Sequence, residues 1–227
     1  MNNATMDKMR ELRLHGMLRA FRDAHENRTC ERLTPDELLA HLIDAEWDER
    51  YNRTLDRLVT KAAFRYRGRI EEIDFSSARS IDKNLITRLA SGDWIAKAEN
   101  LIITGPTGAG KSFISCALGH AACVQGKKAR YVNCMKLFSH LKMSKVDGSY
   151  PREMKSLARQ DLLILDDFGL KQLDAESRLF MLEFIEDRYG SKSTIISSQV
   201  PVAKWFDIIG DPTIADAICD RLIHNSH

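Results

Sequence analysis

The stretch LIITGPTGAGKSF, residues 101–113, decides the fold of this chain of 227 residues. Within it, GPTGAGKS matches the pattern G-x-x-x-x-G-K-[ST] in full, between an apolar run typical of a strand and a helical pattern. Glycines let the backbone N–H groups of such a loop turn towards phosphate oxygens, and the helix N-terminus adds positive potential. The motif therefore predicts a nucleotide site, and the alternative is a chance glycine-rich turn.

The residue types in this loop assign a role to its last two positions. Lys111 is expected to reach the β- and γ-phosphates of ATP, and the Ser112 hydroxyl is expected to ligate Mg²⁺. ATP and Mg²⁺ are therefore the predicted cofactors. The residues predicted to contact the nucleotide are Gly105, Pro106, Thr107, Gly108, Ala109, Gly110, Lys111, Ser112 and Phe113.

A second motif, DLLILDDFG at residues 161–169, carries two acids at the end of an aliphatic run. Ligands of open α/β sheets bind outside the carboxyl ends of the strands. We therefore expect Asp166 to hold Mg²⁺ through water and Asp167 to polarise the attacking water. An acidic turn alone is common, but its combination with the phosphate loop is specific.

Two polar features further along the chain are weaker signals. The run STIISSQVP ends near Ser198 and Gln199, which either contact the γ-phosphate or its attacking water, or cap the strand. Arg221 lies on the last helical pattern. An arginine that reaches another subunit's γ-phosphate raises hydrolysis by about 10³–10⁵, but a surface arginine paired with a nearby aspartate is the interpretation that the residues alone favour.

Short aliphatic runs alternate with helical patterns in the second half of the chain. Continuous apolar strands separated by helices predict a parallel sheet covered on both faces, so the predicted fold class is α/β. Before residue 66 only helical patterns occur, and TPDE at residues 34–37 predicts a capped long helix. The predicted domains are residues 1–66, all-helical, and 67–227. The predicted strands are 100–104, 129–133, 161–166 and 193–198.

Composition excludes several other classes of protein. The net charge of +2 is close to neutral, and no apolar run is long enough to span a membrane. The five cysteines form no C-x-x-C pair, which indicates reduced thiols in the cytoplasm rather than disulfides or a zinc site. A small-molecule kinase built on the same loop would need clustered arginines after the sheet, and no such cluster occurs.

Basic residues concentrate locally despite the neutral total. Between residues 50 and 69 seven cations are opposed only by Asp56, and the first four are spaced along one helical face. A second basic group lies between the second and third strands. The alternative is a solvated helix whose arginines pair with Glu46 or Glu49. The residues predicted to contact duplex DNA are Arg50, Arg53, Arg57, Lys61, Arg65, Arg67, Lys142 and Lys145.

Four motifs together resemble those of a known family: GPTGAGKS, LLILDDFG, STIISSQVPVAKW and GDPTIADAICDRLIHNSH. They resemble the IstB-like ATPases, helper proteins of insertion-sequence transposition, over essentially the whole chain. They resemble less closely the DnaC-type helicase loaders, and both groups are AAA+ ATPases of the initiator clade. The resemblance implies a Walker B role for Asp166 and Asp167, a sensor-1 position for Ser198 and Gln199, and an arginine-finger role for Arg221.

The chain departs from that family pattern at two places. Asp167 stands where many AAA+ proteins have glutamate, which predicts hydrolysis that is slow or stimulated by a partner. Relatives continue beyond the last motif with a strand and a sensor-2 arginine, whereas this sequence ends at His227. We therefore expect no residue of this sequence to fill the sensor-2 role.

The resemblance implies an ATP-dependent regulator that forms a homo-oligomer on duplex DNA, binds ATP between subunits and recruits or stimulates a transposase. A helicase loader that acts on single-stranded DNA and a replicative helicase is the alternative. A binding module that cannot hydrolyse ATP is a third interpretation, because of the aspartate at position 167 and the early end of the sequence.

Overall fold

The computed structural model describes residues 3–76 and 81–227. The chain divides into two compact units, Met1–Arg57 and Leu58–His227. The division falls within a long helix, nearer the N-terminus than the predicted domain boundary at residues 66 and 67. No helix in the described part of the chain is both long enough and apolar enough to cross a bilayer.

Helices make up most of the first unit. They are α1 (Asn3–Glu11), α2 (His15–Glu26) and most of α3 (Pro35–Ala62), with a 3₁₀ turn at Thr29–Glu31. α1 and α2 are separated at Arg13, whose φ of 57° a right-handed helix does not accommodate. The capped start of α3 is confirmed, because Glu37 accepts from the Thr34 N–H at 2.8 Å and the Thr34 hydroxyl accepts from the Glu37 N–H at 3.3 Å.

The packing of α2 on α3 is close. A Cβ added at Gly16 would lie 2.2 Å from the Ala45 carbonyl oxygen, so only glycine permits this approach. The buried Glu46 carboxylate accepts from the Gly16 N–H at 2.9 Å and from the Met17 N–H at 3.2 Å, at the start of α2. It satisfies two of the N–H groups that a helix N-terminus leaves without an intrahelical partner.

The second unit contains a sheet of four parallel strands in the order β1-β4-β3-β2. Because the strands are parallel, their carboxyl ends share one edge of the sheet, and β4 lies between β1 and β3. All four predicted strands are confirmed to within two residues at each end. They are β1 (Leu101–Thr104), β2 (Ala129–Asn133), β3 (Leu162–Phe168) and β4 (Ser193–Ser198).

Helices cover both faces of this sheet, as predicted. Leu163 and Leu165 of β3 belong to the main apolar core, whereas Ile164 between them faces α6 near Gly119. This alternation is the two-residue period of a strand. The helices of the unit are α4 (Lys83–Ala90), α5 (Asp93–Ala96), α6 (Lys111–Val124), α7 (Cys134–Val146), α8 (Tyr150–Ala158), α9 (Ala175–Arg188), α10 (Trp205–Ile209) and α11 (Pro212–Ile223).

The last residues of the chain lie beside β1. The Asn100 N–H donates to the Asn225 carbonyl at 2.8 Å, and the Ile102 N–H donates to the His227 carbonyl at 3.0 Å. The direction is parallel, with an isolated bridge between Asn100 and Ser226. The edge of the sheet next to the phosphate-loop strand is therefore paired over these residues.

Candidate nucleotide-binding site

The glycine-rich loop joins β1 to α6 at the carboxyl edge of the sheet. Gly108 and Gly110 have φ angles of 82° and 87°, a region that other residues rarely adopt. Gly110 immediately precedes α6, so the first N–H groups of a helix of 14 residues point out of its N-terminus. Such an end attracts phosphate, because its N–H groups lack intrahelical partners and the helix dipole is positive there.

Lys111 is nearly buried, with 8% of its surface exposed. Its ammonium donates to the carbonyl oxygens of Gly105 and Pro106, each at 2.8 Å. The side chain therefore folds back over the loop and places a positive charge above the backbone that the motif predicts to hold phosphate.

Asp166 is the most enclosed acid of the site. It is fully buried at the carboxyl end of β3, where its Oδ1 accepts from the Ser112 hydroxyl at 3.0 Å and from the Ser197 hydroxyl. Its Oδ2 accepts from the Tyr131 hydroxyl at 2.5 Å. Burial and this bond to Asp166 raise the pKa of Tyr131, so its hydroxyl remains a donor. A direct hydrogen bond thus joins the phosphate loop to the end of β3, and the predicted contacts of Ser112 and Asp166 with Mg²⁺ stay predictions.

Asp167 lies at a distortion of β3. The register between β3 and β4 shifts between Leu165 and Phe168, and Asp167 has a φ of 58°. Aspartate tolerates this left-handed conformation better than most residues do. The turn directs its carboxylate away from the buried side of the strand, where Oδ2 accepts from the Asn133 side-chain amide at 2.9 Å.

Sequence reasoning missed three residues of this cluster: Tyr131, Asn133 and Ser197. Asn133 ends β2 opposite Asp166, so the rule that predicted the two acids also applies to it. Tyr131 and Ser197 lie inside strands, and no sequence signal distinguishes them from residues that serve only to pack the core.

Ser198 and Gln199 separate in the structure. The buried Ser198 hydroxyl donates to the Phe168 carbonyl at 2.8 Å and accepts from the Val200 N–H at 3.0 Å, which is the strand-capping alternative. The Gln199 amide oxygen accepts from the Thr107 hydroxyl at 2.7 Å, which brings Gln199 to the phosphate loop. A contact of either residue with the γ-phosphate stays a prediction.

Phe113, near the start of α6, packs against the segment that follows α3. Its ring centroid is 6.3 Å from that of Tyr66, and its edge would contact a Cβ at Gly68. Phe64 likewise lies against Gly119 of α6. These contacts attach the segment after α3 to α6 within the second unit, and Phe113 serves this packing.

Arg65 belongs to the same segment and lies beside the two acids. Its Nη1 is 3.8 Å from Asp166 Oδ2 and 3.6 Å from Asp167 Oδ2. The structure therefore places Arg65 beside the two acids of the nucleotide site, and its contact with duplex DNA stays a prediction.

The other residues predicted to contact DNA differ in whether their side chains already form ion pairs with acidic residues. Arg50 pairs with Glu46 at 2.6 Å and Arg53 with Glu49 at 3.4 Å, which are the partners that the alternative interpretation named. Lys142 and Lys145 are also ion-paired, with Asp174 and with Glu176 respectively. Over the described ranges of the chain, no ion pair engages the remaining three predicted residues, which are Arg57, Lys61 and Arg67.

Arg221 lies at the other end of the sheet from the phosphate loop. Its carbonyl accepts from the side-chain amide of Asn100, which precedes β1, whereas the loop follows β1. Its guanidinium donates to Glu186 at 2.7 Å and to the Ala217 carbonyl at 2.9 Å. The four residues of β1 separate the two positions by about 13 Å at the usual rise of a strand, so Arg221 does not reach the loop of its own chain.

The donor set near the loop suits Mg²⁺. The Ser112 hydroxyl and the Asp166 carboxylate are 3.0 Å apart and supply oxygen, the ligand type that Mg²⁺ prefers. In the described part of the chain no group of three or more His, Cys, Asp or Glu side chains could hold a metal. A metal at this position would thus take most of its ligands from phosphate and water, as Mg²⁺ usually does.

The sequence as a whole matches a family model described as IstB-like ATP binding protein, over residues 7–227. The chain belongs to the IstB-like ATP-binding proteins. An insertion-sequence ATP-binding protein of Sinorhizobium fredii is 44% identical over 223 residues, which cover 98% of this chain and 91% of that protein. The ATP-binding protein of insertion sequence IS1162 from Pseudomonas fluorescens is 43% identical, over 88% of this chain and 87% of that protein.

Solved structures agree on the fold of this IstB-like protein. The DnaC helicase loader superposes with a TM-score of 0.55 at 22% identity, over 76% of this chain and 95% of that chain. AMPPCP-bound DnaA from Aquifex aeolicus superposes with a TM-score of 0.59 at 16% identity, over 68% of this chain and 49% of that chain. The predicted α/β fold of the P-loop AAA+ type is confirmed, and the family supports nucleotide binding by this site.

Proposed function

We propose that this IstB-like protein is an Mg²⁺-dependent ATPase that oligomerises on duplex target DNA and recruits or stimulates a transposase. The observation that carries the proposal is the joining of Ser112, in the phosphate loop, to Asp166, at the end of β3, within 3.0 Å. Relatives that are insertion-sequence ATP-binding proteins support the transposition context. The five free cysteines, four of them buried, support action in the reducing cytoplasm.

In the proposed site each residue of this chain has a separate task. Lys111 would release the loop carbonyls and donate to the β- and γ-phosphates, while Ser112 and Asp166 would hold the metal directly or through water. Bound Mg²⁺ would neutralise charge that develops on the phosphates. Asp167, oriented by the Asn133 amide, would accept a hydrogen bond from the attacking water, and Gln199 would position the loop through Thr107.

The proposed oligomer places ATP between subunits. Arg221 lies too far from the loop of its own chain, so its γ-phosphate contact would be made to a neighbour. ATP shifts assembly only by the difference between its affinities for the assembled and free states. A γ-phosphate held by Lys111 of one subunit and Arg221 of the next supplies that difference, and hydrolysis removes it.

Duplex DNA is the proposed partner of the basic residues that make no ion pair among the described residues. Arg57, Lys61 and Arg67 are exposed, so each is free to neutralise a phosphate. Contacts of this kind position a protein without reading sequence. They weaken as the salt concentration rises, because the counterions released from the DNA then enter a more concentrated solution. We expect smaller contributions to DNA affinity from the four ion-paired residues, because each would first have to leave its carboxylate. These residues are Arg50, Arg53, Lys142 and Lys145.

The transposase is the proposed partner of the N-terminal unit. Leu39, Ile43 and Trp47 follow one another at intervals of four along α3, and all are exposed, Trp47 by 72%. A row of large exposed apolar side chains is typical of an interaction surface. Substitution of Trp47 by serine is expected to weaken capture of the purified transposase from the same insertion sequence and to leave ATP binding unchanged.

The experiment that tests the central proposal combines sedimentation with DNA binding. Wild-type protein, Lys111→Ala and the exposed-lysine control Lys128→Ala would be mixed with duplex or single-stranded DNA, with ATP or ADP, at low and moderate salt. We expect a large complex on duplex DNA that needs ATP, weakens with salt, is lost in Lys111→Ala and is retained in Lys128→Ala. A preference for single strands would favour a helicase loader instead, and a monomer in every nucleotide state would refute the proposal.

A further inference from the structure

Arg65 reaches the two site acids because the chain turns sharply after α3. Ala63 has a φ of 53°, in the left-handed region, directly after the helix ends at Ala62. Phe64 and Tyr66 come before and after Arg65 in the chain. Phe64 packs against Gly119, and the Tyr66 ring packs at a tilt against Phe113. This packing anchors the backbone of the segment on α6, so the position of Arg65 is set by the fold.

The Arg65 guanidinium lies next to an aromatic ring as well as to the two carboxylates. It lies 5.4 Å from the centre of the Tyr66 ring, a distance at which a cation is attracted to an aromatic face. The nearby Tyr131 hydroxyl and the charge of Asp166 raise the pKa of the Arg65 guanidinium. The side chain is therefore a permanent cation held next to the carboxylates.

The two acids face different groups with different oxygens. Asp166 presents Oδ1 to Ser112 and Ser197, whereas its Oδ2 and the Asp167 Oδ2 are the atoms near Arg65. A divalent cation bound to Ser112 and to Oδ1 of Asp166 would thus share the Asp166 carboxylate with the Arg65 guanidinium, which lies near Oδ2. Two cations that share one pair of acids lower each other's affinity for it.

We propose that Arg65 is an internal counter-cation that competes with the divalent metal for the Asp166–Asp167 pair and so limits metal affinity. This inference rests on the metal site of the proposed function. The side chain is 48% exposed and borders a cavity of about 610 Å³ beside Asp167, so it has room to withdraw when the metal enters. By reciprocity, any group that draws Arg65 away from the acids strengthens metal binding.

The test measures Mn²⁺ affinity by electron paramagnetic resonance in the presence of saturating ADP. Wild type would be compared with Arg65→Ala and Arg65→Gln, which remove the charge, with Arg65→Lys, which keeps it, and with Arg67→Ala. Arg67 is an exposed arginine two residues away that has no ion pair within the described ranges. We expect Mn²⁺ to bind about two- to fivefold more tightly to the two charge-free variants, as for a partly exposed ion pair. The Mn²⁺ affinity of Arg67→Ala is expected to equal that of wild type, and that of Arg65→Lys is expected to be nearly equal to it.

A second measurement separates metal competition from phosphate binding. Fluorescent ADP would be titrated in EDTA, where Arg65→Ala and Arg65→Gln are expected to match wild type. Weaker ADP binding by both variants in EDTA would overturn the inference, because Arg65 would then hold phosphate. Equal Mn²⁺ affinity in wild type and both variants would overturn it and leave the proposed metal site intact. Absence of Mn²⁺ binding in every protein would remove the metal site and the inference together.

Discussion

The N-terminal unit and the ATPase unit differ in how much apolar core each contains. Among the described residues of the first unit, the buried apolar side chains are Ala20, Ala24 and Leu42. The second unit surrounds its sheet with aromatic and aliphatic side chains that include Phe168 and Trp205, whose rings pack edge to face at 4.9 Å. Full burial of one large apolar side chain contributes about 1.5–3 kcal/mol, so the second unit has much the larger hydrophobic stabilisation.

The two units also differ in which of their residues the proposed function assigns to contacts with another protein chain. The first unit leaves Leu39, Ile43 and Trp47 exposed. It joins α2 to α3 through the buried carboxylate of Glu46 and through the more exposed Arg19–Glu49 ion pair. The second unit folds around its own core, but Arg221 faces away from its own phosphate loop. Under the proposed function, the first unit would bury this apolar surface against a partner, and the second would take an arginine from a neighbouring subunit.

The largest expected effect tests the arginine taken from a neighbouring subunit. Arg221→Ala is expected to lower ATP hydrolysis by about 10³-fold or more and to leave ATP affinity of the isolated subunit and thermal stability nearly unchanged. The stability effect is small because the Arg221–Glu186 pair is at the surface. Steady-state hydrolysis and nucleotide titration measure the two quantities, and Arg159→Ala is the exposed control.

Mixing two inactive variants sharpens this prediction. Lys111→Ala subunits keep Arg221 and Arg221→Ala subunits keep the loop, so mixed oligomers are expected to regain part of the activity. Wild-type hydrolysis by Arg221→Ala alone, or no recovery on mixing, would mean that Arg221 does not act between subunits.

The next effect tests the self-sufficiency of the ATPase core. Arg188 is 2% exposed and donates to the carbonyl oxygens of Leu157 at 2.9 Å, of Gln160 at 2.8 Å and of Ser193. Burial lowers the pKa of its guanidinium, but these bonds hold the charge between three segments. Arg188→Met is expected to reduce the free energy of unfolding by about 2–4 kcal/mol, because buried carbonyls lose their donor.

Chemical denaturation followed by circular dichroism measures this loss. The exposed Arg159→Met provides a matched control and is expected to change stability by less than about 0.5 kcal/mol. If Arg188→Met lost no more stability than that control, the Arg188 hydrogen bonds would contribute little to the core. The contrast between the units would then rest only on how much apolar surface each one buries.

The smallest effect tests the buried carboxylate of Glu46 in the N-terminal unit. Glu46→Ala is expected to cost about 1–3 kcal/mol in that unit, because the N–H groups at the start of α2 lose their acceptor. Hydrogen exchange of the α2 amides measures the loss locally, and exposed Asp48→Ala is the control. Equal protection in the two variants would show that the helices are joined by packing.

Acid should have the same effect as that substitution in wild-type protein. Burial raises the pKa of Glu46, but the hydrogen bonds from Arg50, Met17 and Gly16 outweigh burial and lower it below its ordinary 4.5. A lowered pKa in the folded state contributes stability that is present above about pH 4.5 and is lost as pH falls through the folded value. Protection of α2 is therefore expected to decrease below that pH, and less so in Glu46→Ala.

Local sequence predicted the elements well wherever one signal dominated. The Thr34 capping box and the four apolar strands all occur as predicted, because each depends on neighbours in the chain. The short helices α4, α5 and α10 were not predicted, since four to eight residues carry too weak a period.

Sequence by itself determined the α/β fold, the phosphate loop and the position of Asp166 and Asp167 at a strand end, because these depend on local spacing and on the parallel direction of the strands. Only the tertiary structure decided which distant side chains join them. Tyr131, Ser197 and Arg65 meet Asp166 because strand order and the turn at Ala63 bring them there. Contacts between residues far apart in the chain follow from how the elements pack, and no local pattern encodes them.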